Sequence, residues 1–213
     1  MKTAAGKILL TGFEPFGGDS VNPTAEIVGR LHGMRIGRHE VVGVVLPCVF
    51  GDAVVRLKTA LRRSAPQLVI CLGQAGGRAE ITPERVAINV DDARIPDNAG
   101  RQPVDVPVVR GGPAAYWSTL PVKAIVAALR KQNIPAAVSQ TAGTFVCNHV
   151  FYSLMHALRR RRAVRAGFIH VPWLPTQGKP AMSLATLTKA IVLATEVAAR
   201  TKQDIKTAGG RLH

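Results

Sequence analysis

The 213-residue chain is short of cysteine, of acidic charge, of aromatic residues and of long apolar runs. Each shortage narrows what it can be. Its three cysteines are an odd number, spaced neither as zinc ligands nor as a disulfide framework, which points to a reducing compartment and makes the cytosol the expected location. No apolar run approaches the ~18 residues that a membrane-spanning helix needs. Ile8-Leu9-Leu10, after the basic N-terminus, is too short for a signal-peptide core. Only 13 residues are acidic against 28 basic, and no Asp or Glu occurs between Asp105 and Glu196. Any carboxylate that works with that stretch must come from elsewhere in the chain. There is no internal repeat or low-complexity tract, and 47% hydrophobic with 19% charged residues is too apolar for disorder. At this length the chain is expected to form one domain over residues 1–213.

A net charge of +15 raises the question of nucleic acid. Arg159, Arg160, Arg161, Arg162 and Arg165 gather near the end of a predicted helix, where cations suit the negative end of the helix dipole. A solvated basic face is the expectation, and RNA contact the alternative.

Short apolar runs alternate with longer helical patterns, as in an α/β fold. Strands are predicted over residues 7–11, 40–46, 67–72, 85–90, 136–140 and 167–171. Asn22-Pro23 supplies a cap and first-position proline for a helix carrying Ile27, Val28 and Leu31. Leu120-Pro121 opens another, with Val122, Ile125, Val126 and Leu129 on one face. A further helix from about Asn148 packs Phe151, Leu154, Met155 and Leu158, and the last spans residues 183–201. These elements should form a sheet covered by helices on both faces. Residues 91–112, rich in Gly, Pro, Asp and Asn, read as a long irregular loop of the kind that carries function.

The cysteines differ in setting. Cys71 lies inside Leu68-Val69-Ile70-Cys71-Leu72, where a thiol acts as an inert small hydrophobe. Cys48 follows Pro47 at a strand end and can pack or line a pocket. Cys147 lies in Thr141-Ala142-Gly143-Thr144-Phe145-Val146-Cys147-Asn148-His149, where an extended segment gives way to a helix. There the dipole and backbone N–H groups would lower the thiol pKa and offer an oxyanion hole. A cysteine can also start a helix without reacting. A thiol nucleophile needs a base in reach. His149 faces away from its i−2 neighbour Cys147, and His156 is about two and a half helical turns along. His170 ends the apolar run Gly167-Phe168-Ile169-His170, at the carboxyl end of a strand, where α/β enzymes gather catalytic groups; a structural histidine remains the alternative. Its carboxylate partner would come from Glu80, Glu84, Asp91, Asp92 or Asp97.

These segments resemble the pyroglutamyl peptidase I family of cysteine peptidases. Thr11-Gly12-Phe13-Glu14-Pro15-Phe16-Gly17-Gly18 with Asn22-Pro23 is similar to its first motif, and Gly73-Gln74-Ala75-Gly76-Gly77-Arg78 to its second. Ile81-Thr82-Pro83-Glu84-Arg85-Val86-Ala87-Ile88-Asn89, Ala93-Arg94-Ile95-Pro96-Asp97-Asn98 and Gly111-Gly112-Pro113-Ala114-Ala115-Tyr116-Trp117 continue it. The resemblance implies Cys147 as nucleophile, His170 as base, Glu84 as the acidic third member and Arg94 as support near the oxyanion hole. It implies a substrate pocket from Phe13, Phe16, Asn22, Gln74, Phe145 and Val146. It implies a three-layer α/β/α domain with a mostly parallel mixed sheet, commonly in homotetramers. Cys48, where family members often carry a hydroxyl or other residue, departs from the pattern, and the arginine cluster is not explained by it.

The expected activity is hydrolysis of the bond after an N-terminal pyroglutamyl residue through a Cys-His-Glu triad and a thioester, without metal or cofactor. The expected partners are pyroglutamyl peptides, with no membrane and no RNA contact. Two other readings are a peptidyl-tRNA hydrolase, which would suit the charge but has no use for Cys147, and an inactive module that holds RNA through its arginines.

Overall fold

Central strands form here where aliphatic residues run together without charge, and helices where apolar residues recur every three or four positions. The computed structural model describes residues 6–210. In chain order the elements are β1 (Gly6–Phe13), α1 (Pro23–Leu31), β2 (Arg35–Ile36), β3 (His39–Leu46), α2 (Asp52–Ser64), β4 (Leu68–Gln74) and β5 (Thr82–Pro83). There follow β6 (Val86–Ile88), β7 (Ala115–Trp117), α3 (Val122–Lys131), α4 (Val146–Leu158), β8 (Arg165–Val171) and α5 (Leu184–Arg200).

The main sheet has the order β2-β3-β1-β4-β8-β5. Its four inner strands are parallel, and the short edge strands β2 and β5 are antiparallel to their neighbours. Every residue of β4 is buried, as expected of a central parallel strand covered on both faces. Alternation along the strands sorts the core in two. Ile8, Leu10, Ile70, Leu72, Ile169 and Val171 face α1, α3 and α5. Leu9, Val69, Cys71 and Phe168 face α2 and α4. The three-layer α/β/α arrangement with a mostly parallel mixed sheet is therefore what the chain adopts. No helix among the described residues is long and apolar enough to cross a membrane.

Several predicted elements need correction. Residues 85–90 do not join the main sheet; β6 pairs with β7 in a separate antiparallel ribbon. Residues 136–140 form no strand, only the isolated bridges Ile81↔Ala136 and Glu84↔Ser139. They run beside residues 81–85, with Ile81 N–H bonded to Pro135 O and Arg85 N–H to Ser139 O. Between those two bonds lies Pro83, which has no N–H to give, so the ladder is interrupted there. Helix α2 is not predicted from the sequence, because Arg56, Lys58, Arg62 and Arg63 mask its apolar stripe of Ala53, Val54, Leu57, Ala60 and Leu61. The basic cluster also divides. Arg159 to Arg162 are exposed beyond α4, whereas Arg165 is the first residue of β8 and donates to the Thr201 and Ala199 carbonyls at the end of α5. Burial lowers its pKa.

Helix α3 starts at Pro121 without a side-chain cap of its own. The missing cap is supplied from the C-terminal segment, where the two Asp204 oxygens accept from Lys123 N at 3.0 Å and Ala124 N at 2.9 Å. Asp204→Ala should lower stability by about 1 kcal/mol, the usual worth of an N-cap, with kcat unchanged. Urea unfolding measures it, and a midpoint equal to that of the wild type would show that the cap carries no weight.

Candidate active site

The register of β4 against β8 places Gly73 opposite His170. Paired residues on adjacent strands send their side chains to the same face, about 4.8 Å apart. For this pair it is the face covered by α4, since Phe168, two residues before His170, belongs to that core layer. Phe168 and His170 have ring centroids 4.9 Å apart. A methyl group added to Gly73 would lie 2.8 Å from Cys147 Sγ and 2.7 Å from Phe168 Cε1. The sulfur therefore rests against the bare backbone of Gly73, the strand partner of His170.

His170 is 4% exposed. Its Nδ1 lies 2.7 Å from Glu84 Oε1. A carboxylate only accepts, so Nδ1 carries the hydrogen and Nε2 is left with its lone pair. Glu84 is fully buried, at the end of β5, which pairs Thr82 with His170 and Pro83 with Ile169. Glu84 N–H donates to Phe168 O at 2.9 Å, fixing the carboxylate's backbone to the same strand as the histidine. Of the acidic candidates, Glu84 is the one in contact with His170. Asp91 instead meets His149 Nδ1 at 2.8 Å, while His149 Nε2 accepts from Gly51 N. Asp97 accepts from the N–H groups of Phe50, Ala99 and Arg101.

Helix α4 begins after Phe145, with no side-chain cap and no acidic residue in its first turn. His149 N–H closes the first turn onto Phe145 O. The N–H groups of Val146, Cys147 and Asn148 find no acceptor among the described residues, so the helix start is open to an anion. Asn148, fully buried, bonds the backbone of Ile88 and Val90 and holds that end in place.

The helix start was expected to lower the thiol pKa, but the balance goes the other way. Burial pushes Cys147 up, and the neighbouring Cys48, Glu84 and Cys71 add to this, while Arg78 opposes it. Cys147 is only partly covered, so water relieves some of that penalty without reversing it. Cys48 and Cys71 are 3% and 0% exposed and are each pushed up to about 12, mainly by burial.

The aromatic side chains of the expected pocket gather around this point. Phe13, at the carboxyl end of β1, packs on Phe168 with centroids 6.4 Å apart, and Phe16 on Phe145 at 6.0 Å. Val146 is fully buried beneath the helix start. Asn22 and Gln74 are engaged within the protein. Asn22 caps α1 through Thr24 N and donates to Glu14 O, and Gln74 donates to Asp19 and accepts from Gln177. Arg94 is exposed, and among the described residues the ion pairs of Glu84 are to Arg78 and His170 rather than to Arg94. Residues 91–112 are pinned rather than loose. Asp92 N–H donates to Thr144 O, Thr144 Oγ1 to Asp92 O, and Asn98 to Glu14 and Pro15.

Two contributors are not evident from the sequence: Gly73, whose lack of a side chain matters only once the register is known, and Arg78, which donates to Glu84. A cleft of about 530 Å³ lies beside Arg78, between Gly77, Glu80, Thr82, Ser139 and Thr141.

A thiol against the strand partner of a histidine that is paired with a buried carboxylate is the arrangement of a cysteine-type hydrolase. The family model described as pyroglutamyl peptidase matches residues 6–201, and the chain belongs to that family. It is 58% identical to a pyrrolidone-carboxylate peptidase of Klebsiella pneumoniae, over 97% of this chain and 99% of that one. Among solved structures, the pyroglutamyl peptidase I of Bacillus amyloliquefaciens superposes with a TM-score of 0.93 at 51% identity, covering 95% of this chain and 99% of that one. The pyrrolidone carboxyl peptidase of Thermococcus litoralis gives 0.92 at 43%, with the same coverages.

Iodoacetamide should alkylate Cys147 alone in the folded protein, because it is the one cysteine with access. A raised thiol pKa means little thiolate at neutral pH. The alkylation rate should therefore climb about tenfold per pH unit and show no plateau by pH 9. A plateau below pH 8 would instead reveal a thiolate already formed at rest.

Proposed function

We propose that the protein hydrolyses the peptide bond that follows an N-terminal pyroglutamyl residue, with Cys147 as nucleophile, His170 as base and Glu84 as the group that orients it. The observation that carries the reading is the position of Cys147 Sγ against Gly73, the strand partner of His170. The pyroglutamyl specificity rests on family membership.

In this scheme the bound substrate presents its scissile carbonyl to the sulfur. His170 Nε2 takes the thiol proton as the S–C bond forms, which suits a thiol that stays protonated at rest. The oxyanion is met by the N–H groups of the first turn of α4. Arg94 assists from the loop that Asp92 ties to Thr144 and that Ile95 rests against Gly17. Collapse breaks the C–N bond, and the imidazolium gives its proton to the leaving amine. Water then attacks the thioester with His170 again as base, releasing pyroglutamate and restoring the thiol. Glu84 holds Nδ1–H throughout.

The flat lactam ring stacks between Phe13, Phe16 and Phe145, which gives apolar contact without much selectivity. Selection against proline falls to hydrogen bonds from the backbone about Gln74 and the loop from Phe13 to Asn22. Exposed Trp117, Val104 and Val106 are apolar side chains that a homotetramer would cover, and three free thiols suit the cytosol. One domain over the whole chain is part of the same reading.

Cys147→Ser and His170→Ala should each lower kcat on a pyroglutamyl chromogenic amide by at least about a thousandfold with the fold kept. Substantial turnover by pure Cys147→Ser would sink the assignment. A prolyl amide with the same leaving group should be cleaved at least about a thousandfold less efficiently, because the lactam's hydrogen-bonding partners would be left unpaired. Similar kcat/KM for the two would remove the lactam-reading pocket even with the nucleophile upheld.

A further inference from the structure

Arg78 has no part in the scheme above, yet its guanidinium touches both halves of the site. Its Nη1 lies 2.7 Å from Glu84 Oε1, the same oxygen that meets His170 Nδ1. That nitrogen also reaches Thr82 Oγ1 at 2.8 Å and Ser139 Oγ at 3.4 Å. Its Nη2 donates to Thr141 O at 3.1 Å, where the segment leading to Cys147 begins. The pair is not an ordinary surface contact, for the Glu84 side chain is 0% exposed and that of Arg78 31%. Glu84 Oε2 is buried without a partner among the described residues. One carboxylate oxygen thus carries both contacts, and Arg78 is the only Lys or Arg paired with it among the described residues. A buried carboxylate that loses its counter-charge loses its reason to stay in place.

We propose that Arg78 is a positioning residue for the reaction: it fixes Glu84 by Oε1, so that His170 is held with Nε2 toward the thiol, and it ties that carboxylate to the nucleophile segment at Thr141. The inference rests on Cys147, His170 and Glu84 acting together. Arginine suits the task because its rigid fork spans a carboxylate and a carbonyl at once, whereas an ammonium is a point charge on a flexible stem. The electrostatics run the same way, since Arg78 opposes the groups that raise the Cys147 pKa. The cleft of about 530 Å³ beside it leaves the guanidinium approachable from solvent.

The test measures Arg78→Ala and Arg78→Lys on a pyroglutamyl chromogenic amide. Arg78→Ala should lose about 100-fold in kcat with KM within about threefold, the signature of misplaced machinery rather than weakened binding. Millimolar guanidinium chloride should restore at least about tenfold of that loss by occupying the vacated cleft, and sodium chloride at equal ionic strength should not. Arg78→Lys, which keeps the charge and so guards against a misfolded alanine variant, should still lose at least about tenfold in kcat. The proposal is overturned if either variant keeps the wild-type kcat, if the loss falls on KM, or if guanidinium and sodium act alike. An active Arg78→Ala beside an inactive Cys147→Ser refutes only the role of Arg78. Turnover by Cys147→Ser refutes the triad beneath it.

Discussion

The approach of Cys147 to the sheet is limited by a single missing side chain. Strand β4 is buried on both faces, and any residue at position 73 other than glycine would put a carbon 2.8 Å from the sulfur and 2.7 Å from the Phe168 ring. Neither neighbour has room to give. Phe168 is fully buried and in ring contact with Phe13, Phe151 and His170, and the cysteine is fixed by a helix whose first turn is stapled through Asn148 to β6. Close-packed interiors transmit such a clash rather than absorb it. The glycine sets how deep α4 can settle, and the β4–β8 register sets which residue the thiol then meets.

The skewed distribution of acidic residues becomes intelligible in the same frame. Cys147 and His170 both come from the stretch without Asp or Glu, so no carboxylate close in sequence can compete for the imidazole. The partner arrives through β5, a two-residue antiparallel edge strand whose pairing with β8 leaves Glu84 against His170. Long-range topology therefore decides the partner. Two acids of the neighbouring loop are committed elsewhere, Asp91 to His149 and Asp97 to the backbone that shapes Phe50 and Arg101.

Much of this was legible in the sequence, for physical reasons that differ from element to element. Strands β1, β4 and β8 showed themselves because both faces are buried and their residues are mostly apolar. The cap at Asn22 showed because a short polar side chain before an apolar helical pattern has few other uses. Helix α2 stayed hidden because its exposed face is densely basic, and residues 136–140 read as a strand because their composition says nothing of Pro83 on the neighbouring segment. Cys147, His170 and Glu84 could be named from motif resemblance. What could not be read was the commitment of Gln74 to Asp19 and Gln177, or the reach of Arg78 to Glu84, since both are side-chain contacts between loops whose approach depends on the finished sheet.

The raised thiol pKa bears on why the imidazole must sit where it does. A thiolate prepared by the helix dipole alone would need only an open helix start, which α4 offers. Here burial outweighs that contribution, with Glu84 and two further cysteines acting in the same sense. A neutral thiol in an apolar pocket is stable and unreactive, and in the scheme proposed above its proton has to leave as the new bond forms. That demands a neutral nitrogen already aimed at the sulfur, hence a histidine whose other nitrogen is pinned by an acceptor that cannot donate. The buried carboxylate that supplies the acceptor also raises the thiol pKa, so in that scheme the group that orients the base opposes the ionisation the base has to bring about. The guanidinium of Arg78 lies where it answers both demands, holding the carboxylate while pulling the thiol the other way.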